Sequence, residues 1–280
     1  MPRNPKPHRP ILLAALLACA VHHAVAGQPD AMERLAAAYP GQFGCDNATI
    51  VWRDGTRIPF GAERPGLTFD QRIDSATLWD QLSIPYPREW PVSPPLLDAD
   101  PGRLRCDAFF RKMYGATAAD VERNLVRVPW PAAGAGKTVR FTNVNGVNKA
   151  LEAVGTEVAK LPETVCRYVA RPNGTFNWRP IAGTERLSPH SYGIAIDFEM
   201  PFDKMYWRWD SKKGNGSRNV DGTSLPNEAV AYPVSILGDR ALQQIVDIFE
   251  RHGFIWGGKW YHYDLMHFEY RPELLALVRN

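Results

Sequence analysis

The sequence predicts an α+β protein: a small, mainly antiparallel sheet with helices packed on it, preceded by an N-terminal accessory region. Three observations carry this reading. Ile194 to Phe198 and Leu265 to Glu269 alternate with a period of two, as strands with one covered face do. Val147, Leu151, Val154, Val158 and Leu161 recur at helical spacing, as do Leu242, Ile245, Val246 and Phe249. Asp54-Gly55 interrupts an alternating stretch from Thr49 to Phe60, a strong local signal for a two-residue hairpin turn.

The chain opens with Arg3, Lys6 and Arg9, followed by an apolar run from Ile11 to Val21 that is too short to span a membrane. This pattern predicts a secretory signal peptide over residues 1–26. Ala24-Val25-Ala26 before Gly27 fits the small-residue cleavage pattern. A competing site, Leu16-Leu17-Ala18-Cys19, resembles a lipoprotein box and would leave a lipid anchor on Cys19. Both routes export the protein, to the periplasm or the cell envelope, with no transmembrane segment in the mature form. Cys45, Cys106 and Cys166 then remain, an odd set that allows one disulfide in three possible pairings.

About 250 residues are left after processing, enough for one substantial core or for a domain with an accessory lobe. The formal net charge is +3 and no basic run follows the signal, so nucleic acid is not an expected partner. We place the accessory region at 27–144 and the second, chemistry-bearing domain at 145–280.

Taken in order, Met32, Leu35, Ala36 and Tyr39 predict a short helix over Ala31 to Pro40, and the hairpin follows it. Pro85 to Pro101 is crowded with prolines and reads as an irregular surface connection. Thr117 to Asp120 is a capping pattern that starts a helix near Ala118, with Val121, Leu125 and Val128 on one face. Gly134 to Thr138 resembles a phosphate loop, but that motif needs glycine where this chain has Pro131, so no nucleotide site is expected. Thr138 to Val144 reads as a strand, and the helix after Gly146 should pack under the sheet. Pro201 to Pro233 is a long polar segment holding Trp207, Trp209, Gly214, Gly216 and Gly222, of the length that forms lids or groove walls. Asp239 caps a helix that Gly253 ends, Phe254 to Gly258 form a strand and tight turn, and Pro272 opens a closing helix with Leu274, Leu275 and Val278 inward.

Chemistry concentrates in two places. Ser188 to Asp197 reads S-P-H-S-Y-G-I-A-I-D, and His262 to Tyr270 reads H-Y-D-L-M-H-F-E-Y. Imidazole and carboxylate are the nitrogen and oxygen ligands that Zn²⁺ takes, and a catalytic zinc keeps three protein ligands and one open position. His190, Asp197, Asp264 and His267 thus offer three ligands and one carboxylate left over for proton transfer. On a period of two, Asp197 falls opposite Ile194, Ile196 and Phe198, and His267 falls opposite Met266 and Phe268. Glu269 shares the face of His267 and is placed to orient a ligand. His262 reads as an outer hydrogen-bond partner or a packing residue, and His252 as a charge at a helix C-terminus.

These two segments, with R-P-I-A-G-T-E-R before the first and F-E-R-H-G-F-I-W-G-G-K-W-Y before the second, resemble the zinc D-alanyl-D-alanine carboxypeptidase and L-alanyl-D-glutamate endopeptidase family, which includes phage endolysins. The resemblance covers roughly residues 145–280. It implies a hedgehog-like fold, metal ligands at His190, Asp197 and His267, and Asp264 as general base. Many relatives carry Glu at the last position, and Asp is what the endolysin-like branch tends to show. The resemblance also implies an arginine upstream of the first histidine that holds a substrate carboxylate or the developing oxyanion. Arg179 is preferred, with Arg167, Arg171 and Arg186 as rivals. The implied substrate is a peptidoglycan stem peptide, cut at the D-Ala-D-Ala or the L-Ala-D-Glu bond. The alternative of another class is a zinc-bearing cell-wall module that binds without cutting.

Overall fold

The computed structural model describes residues 28–181, 184–202, 205–207 and 232–276. The predicted signal segment with Cys19, most of the 201–233 segment with Trp209, Gly214, Gly216 and Gly222, and Val278 lie outside the described residues. Among the described residues no helix is long and apolar enough to cross a membrane.

Helix α1 (Gln28–Ala38) buries Met32 and Leu35, and Tyr39 just beyond it, as their spacing predicts. Three short antiparallel strands follow: β1 (Phe43–Asp46), β2 (Thr49–Trp52) and β3 (Arg57–Pro59), in the order β1-β2-β3. The turn between β2 and β3 is one residue longer than the predicted two. Trp52 exchanges backbone bonds with Gly55 and Thr56, and Gly55 sits at φ +82°, a left-handed conformation open to glycine at little cost. Strand β1 went unanticipated.

Two short helices, α2 (Phe69–Asp74) and α3 (Leu78–Ser83), open with reciprocal capping boxes, Thr68 with Gln71 and Thr77 with Asp80. Residues 85–101 form no helix or strand, as predicted, and lead to α4 (Asp107–Tyr114). Helix α5 (Ala118–Glu122) begins at the Thr117 cap as expected but stops after five residues. Leu125 and Val128, expected on that helix, lie instead in β4 (Leu125–Pro129), paired along its length with β5 (Thr138–Thr142). Leu-Val-Arg-Val-Pro fits this strand better than a helix: Val126 and Val128 are β-branched, and the ladder satisfies backbone groups that a fraying helix end would expose.

Helix α6 (Val147–Val158) buries Val147, Leu151, Val154 and Val158, and α7 (Glu163–Cys166) and β6 (Pro172–Gly174) follow. Strand β7 (Ala195–Phe198), helix α8 (Arg240–Arg251), strands β8 (Phe254–Trp256) and β9 (His267–Tyr270) and the short helix α9 (Pro272–Leu275) complete the described chain. Strands β6-β7-β9-β8 form an antiparallel sheet. Helix α6 was expected directly beneath this sheet, but it packs chiefly on β4, β5 and α8, and α8 is the helix that meets β8. Asp239 caps α8 by accepting the Leu242 amide at 2.9 Å. Leu242, Ile245, Val246 and Phe249 of α8 are fully buried, each worth about 1.5–3 kcal/mol relative to exposure. The Phe249 ring stacks on Phe268 with centroids 4.0 Å apart, which fixes the back of β9.

A continuous apolar cluster runs from Ala31 to Leu275 and draws residues from both sides of position 145. Cys45, Cys106 and Cys166 are free thiols, and none of the three possible pairings is formed.

Candidate metal centre

The first half-site is a tight turn. Pro189–Tyr192 form one 3₁₀ turn, capped by Ser188 Oγ on the His190 amide at 3.4 Å. Gly193, at φ +65°, then swings the chain into β7. A Cβ at Gly193 would lie 2.6 Å from Leu125 Cδ2, so glycine meets both the backbone angle and the space.

The sheet register supplies the second half. Asp197 on β7 is the cross-strand partner of His267 on β9, so the pairing itself faces the carboxylate with the imidazole. His267 Nδ1 lies 2.9 Å from Asp197 Oδ1, and His190 Nε2 lies 3.2 Å from Asp197 Oδ2. One donor atom from each of the three residues falls within 4.8 Å of the others. The structure therefore brings together His190, Asp197 and His267.

The partners on the far side of each ring show that this trio suits a cation. His190 Nδ1 is 2.6 Å from the Thr175 carbonyl, which only accepts, so Nδ1 carries a proton and Nε2 is left to face the Asp197 carboxylate. His267 has a carboxylate on each nitrogen, Asp197 at Nδ1 and Glu269 at Nε2 (3.1 Å). Acceptor facing acceptor is reconciled by a proton or by a metal ion between them. Burial disfavours charge on His267, but hydrogen bonds to Asp197 and Glu269 outweigh it and push its pKa up to about 10 in the metal-free protein. Burial likewise works to raise the Asp197 pKa, yet both histidines together hold it well below the usual carboxylate range. Zn²⁺ fits this donor set: two imidazoles with their outer nitrogens already anchored, and one carboxylate.

Asp264 enters β9 beside the trio, its amide bonded to Gly257 O at 3.0 Å. A side chain at Gly257 would overlap the Asp264 backbone, so the glycine permits this close approach. Asp264 is part-exposed as a residue, but Oδ1 is sealed from solvent and has no hydrogen-bond partner among the described residues. Burial pushes its pKa up to about 6, with Asp197 adding to the rise while His267, Arg103 and His190 oppose it. It is a carboxylate poised to exchange a proton near neutrality.

Arg179 is tied to the His190 turn through its backbone: its amide donates to Ser191 Oγ at 3.0 Å and its carbonyl accepts from Ser188 at 3.1 Å. Its side chain is exposed, with Nη1 on Pro180 O at 3.4 Å. Of its rivals, Arg171 pairs with Glu199 at 3.4 Å on the surface. Arg167 leans on Tyr168, with its guanidinium 5.2 Å from the ring centroid. Arg186 pairs with Asp74 and helps line a cavity of about 260 Å³ with Arg105, Asp107 and Tyr192.

The sequence reading did not single out Arg103. Its guanidinium bonds the His262 carbonyl at 2.6 and 3.2 Å, lies over Trp260, and acts electrostatically on Asp264. Nothing in its local sequence marks it. His262 is buried, with Nδ1 on the Asp100 carboxylate and its backbone amide on the same residue at 2.8 Å. His252 pairs with Glu157 at 2.6 Å at the end of α8.

Two histidines and an aspartate held by an α+β sheet, with a buried spare carboxylate beside them, are the constellation of a metallopeptidase. Residues 182–270 match the family model described as D-alanyl-D-alanine carboxypeptidase. The match includes His190, Asp197, Asp264 and His267, and it leaves out Arg179 and the whole N-terminal region. No curated protein matches the chain, and no solved structure does.

Proposed function

We propose that the protein is an exported zinc peptidase that hydrolyses peptidoglycan stem peptides as a D-alanyl-D-alanine carboxypeptidase. The observation that carries the reading is the β7–β9 register, which sets Asp197 against His267 while the Ser188–Gly193 turn closes the trio with His190. The family description of residues 182–270 supports the substrate class. The apolar run from Ile11 to Val21 behind Arg3, Lys6 and Arg9 supports export, and on that ground the proposed location is the periplasm or cell envelope.

Zinc bound by His190 Nε2, Asp197 and His267 Nδ1 would supply a Lewis acid for the scissile carbonyl and the attacking water. Thr175 O and Glu269 hold the outer nitrogens, fixing each ring's orientation and tautomer. Asp264 takes the proton of the attacking water and passes it to the departing amine, a role open to a carboxylate whose Oδ1 has no hydrogen-bond partner among the described residues. Arg179, whose backbone is bonded to the His190 turn, is proposed to hold the carboxylate of the substrate.

The test is zinc content together with product release from purified stem pentapeptide, comparing wild type with Asp264→Ala. About one zinc per chain, free D-Ala from wild type, and metal without turnover in the variant would support the reading. Fragments from the L-Ala-D-Glu bond would move the substrate to the endopeptidase alternative. Zinc without cleavage of any wall peptide would replace both with a binding module.

A further inference from the structure

Behind His267 a row of buried charges leads out of the matched segment and into the N-terminal region. Glu269 meets His267 Nε2 with one oxygen, at 3.1 Å, and Arg271 Nη1 with the other, at 2.7 Å. Arg271 Nε donates to Glu273 Oε1 at 2.6 Å. Glu273 in turn accepts the Tyr39 hydroxyl at 2.6 Å and the Gln81 side-chain amide at 3.1 Å. Gln81, Glu269, Arg271 and Glu273 are fully buried and Tyr39 nearly so.

We propose that Arg271 is a positioning residue for the metal centre, and that Tyr39 and Gln81 of the N-terminal region hold it in place through Glu273. Glu269 can anchor the outer nitrogen of His267 only if its own buried charge is compensated. Arg271 supplies that compensation at hydrogen-bond distance, 2.7 Å, with Arg105 Nη1 standing further off at 3.9 Å, but one guanidinium shared by two carboxylates needs the second fixed as firmly as the first. Tyr39 from the end of α1 and Gln81 from α3 do this from 234 and 192 residues away. Residues outside the matched segment thus set how tightly the centre keeps its metal. The inference rests on the zinc reading given above.

The test uses full-length protein stripped of metal, with Arg271→Gln, Arg271→Lys and Tyr39→Phe. Zinc affinity is measured by competition with a chromogenic chelator, the Co²⁺ absorption spectrum is recorded, and each protein is melted with and without zinc. Arg271→Gln is expected to weaken zinc binding by about 10–100-fold, with a smaller loss in Tyr39→Phe and partial recovery in Arg271→Lys. The Co²⁺ bands are expected to shift, and the zinc-induced rise in melting temperature to shrink. A network that merely stabilises the fold would lower both melts equally and leave affinity and spectrum unchanged, and that result would overturn the proposal. Should Arg271→Gln fail to fold, Tyr39→Phe decides, since it removes only a hydroxyl. Wild type that takes up no zinc would sink this inference together with the peptidase reading. Wild type that binds and cleaves, with variants that hold zinc equally well, would sink this inference alone.

Discussion

Replacing Asp264 by Asn removes an ionisable group from a site that disfavours its charge while keeping nearly the same shape. Burial lifts the Asp264 pKa from 3.8 to about 6. Because the folded pKa lies above the unfolded one, the folded protein binds more protons between those values, and this residue costs stability as pH rises through that window. The neutral amide escapes the cost. At about 1.36 kcal/mol per pKa unit, the Asn variant should be more stable than wild type by about 3 kcal/mol at pH 8. At pH 5 the gap should fall to roughly half of that, because wild-type Asp264 is then largely protonated when folded. Residual solvent contact of the residue makes both figures upper bounds. The assay is urea unfolding of both metal-free proteins at the two pH values, with peptide turnover of the zinc-loaded forms alongside. Turnover should drop by at least about 10²-fold, the contribution of a general base. An Asn variant no more stable than wild type at pH 8, or a gap independent of pH, would refute the reasoning.

Other outcomes follow from the same site. Zinc should displace the extra proton of His267, so uptake between pH 6 and 9 should release close to one proton per metal from this residue, and affinity should rise by about tenfold per pH unit; calorimetry in buffers of different ionisation enthalpy reads this directly. Gly193→Ala forces a side chain into φ +65° and against Leu125 and should cost about 1–3 kcal/mol in thermal unfolding, with the metal site disturbed as β7 shifts. Arg179→Ala should leave zinc content unchanged and raise KM for a substrate with a free C-terminal carboxylate more than for its amide, because the guanidinium is exposed and its local fold is held by the backbone. Equal KM for acid and amide in wild type would remove Arg179 from substrate binding.

The site was legible because two of its three donors lie on strands, where alternation fixes the face: Asp197 and His267 both fall opposite bulky residues, and an antiparallel pairing then brings them together. The partners of the site were not legible. Thr175 contributes a carbonyl, which no residue type reveals, and Arg103 and Asp100 act from a loop whose place is set by tertiary packing. Among the elements, α2 and α3 carried readable caps in Thr68…Gln71 and Thr77…Asp80 but lack the length to show a stripe. Leu125 and Val128 misled because their i, i+3 spacing fits a helix stripe, whereas in the strand they fall on opposite faces, with Val128 buried and Leu125 part-exposed.

The irregular stretch from Pro85 to Pro101 has a consequence for how the chain acquires its structure. Carbonyls of Pro87 and Arg88 are satisfied by the buried ammonium of Lys259, the Tyr86 hydroxyl by Glu250, and the Asp100 carboxylate by His262. Each of these bonds joins residues 162 to 172 positions apart. Contacts so distant in sequence slow folding, because the intervening loop must close before any of them forms. During synthesis the N-terminal half emerges first and stays without these partners until Glu250, Lys259 and His262 have been made. Such a chain reaches its native state late.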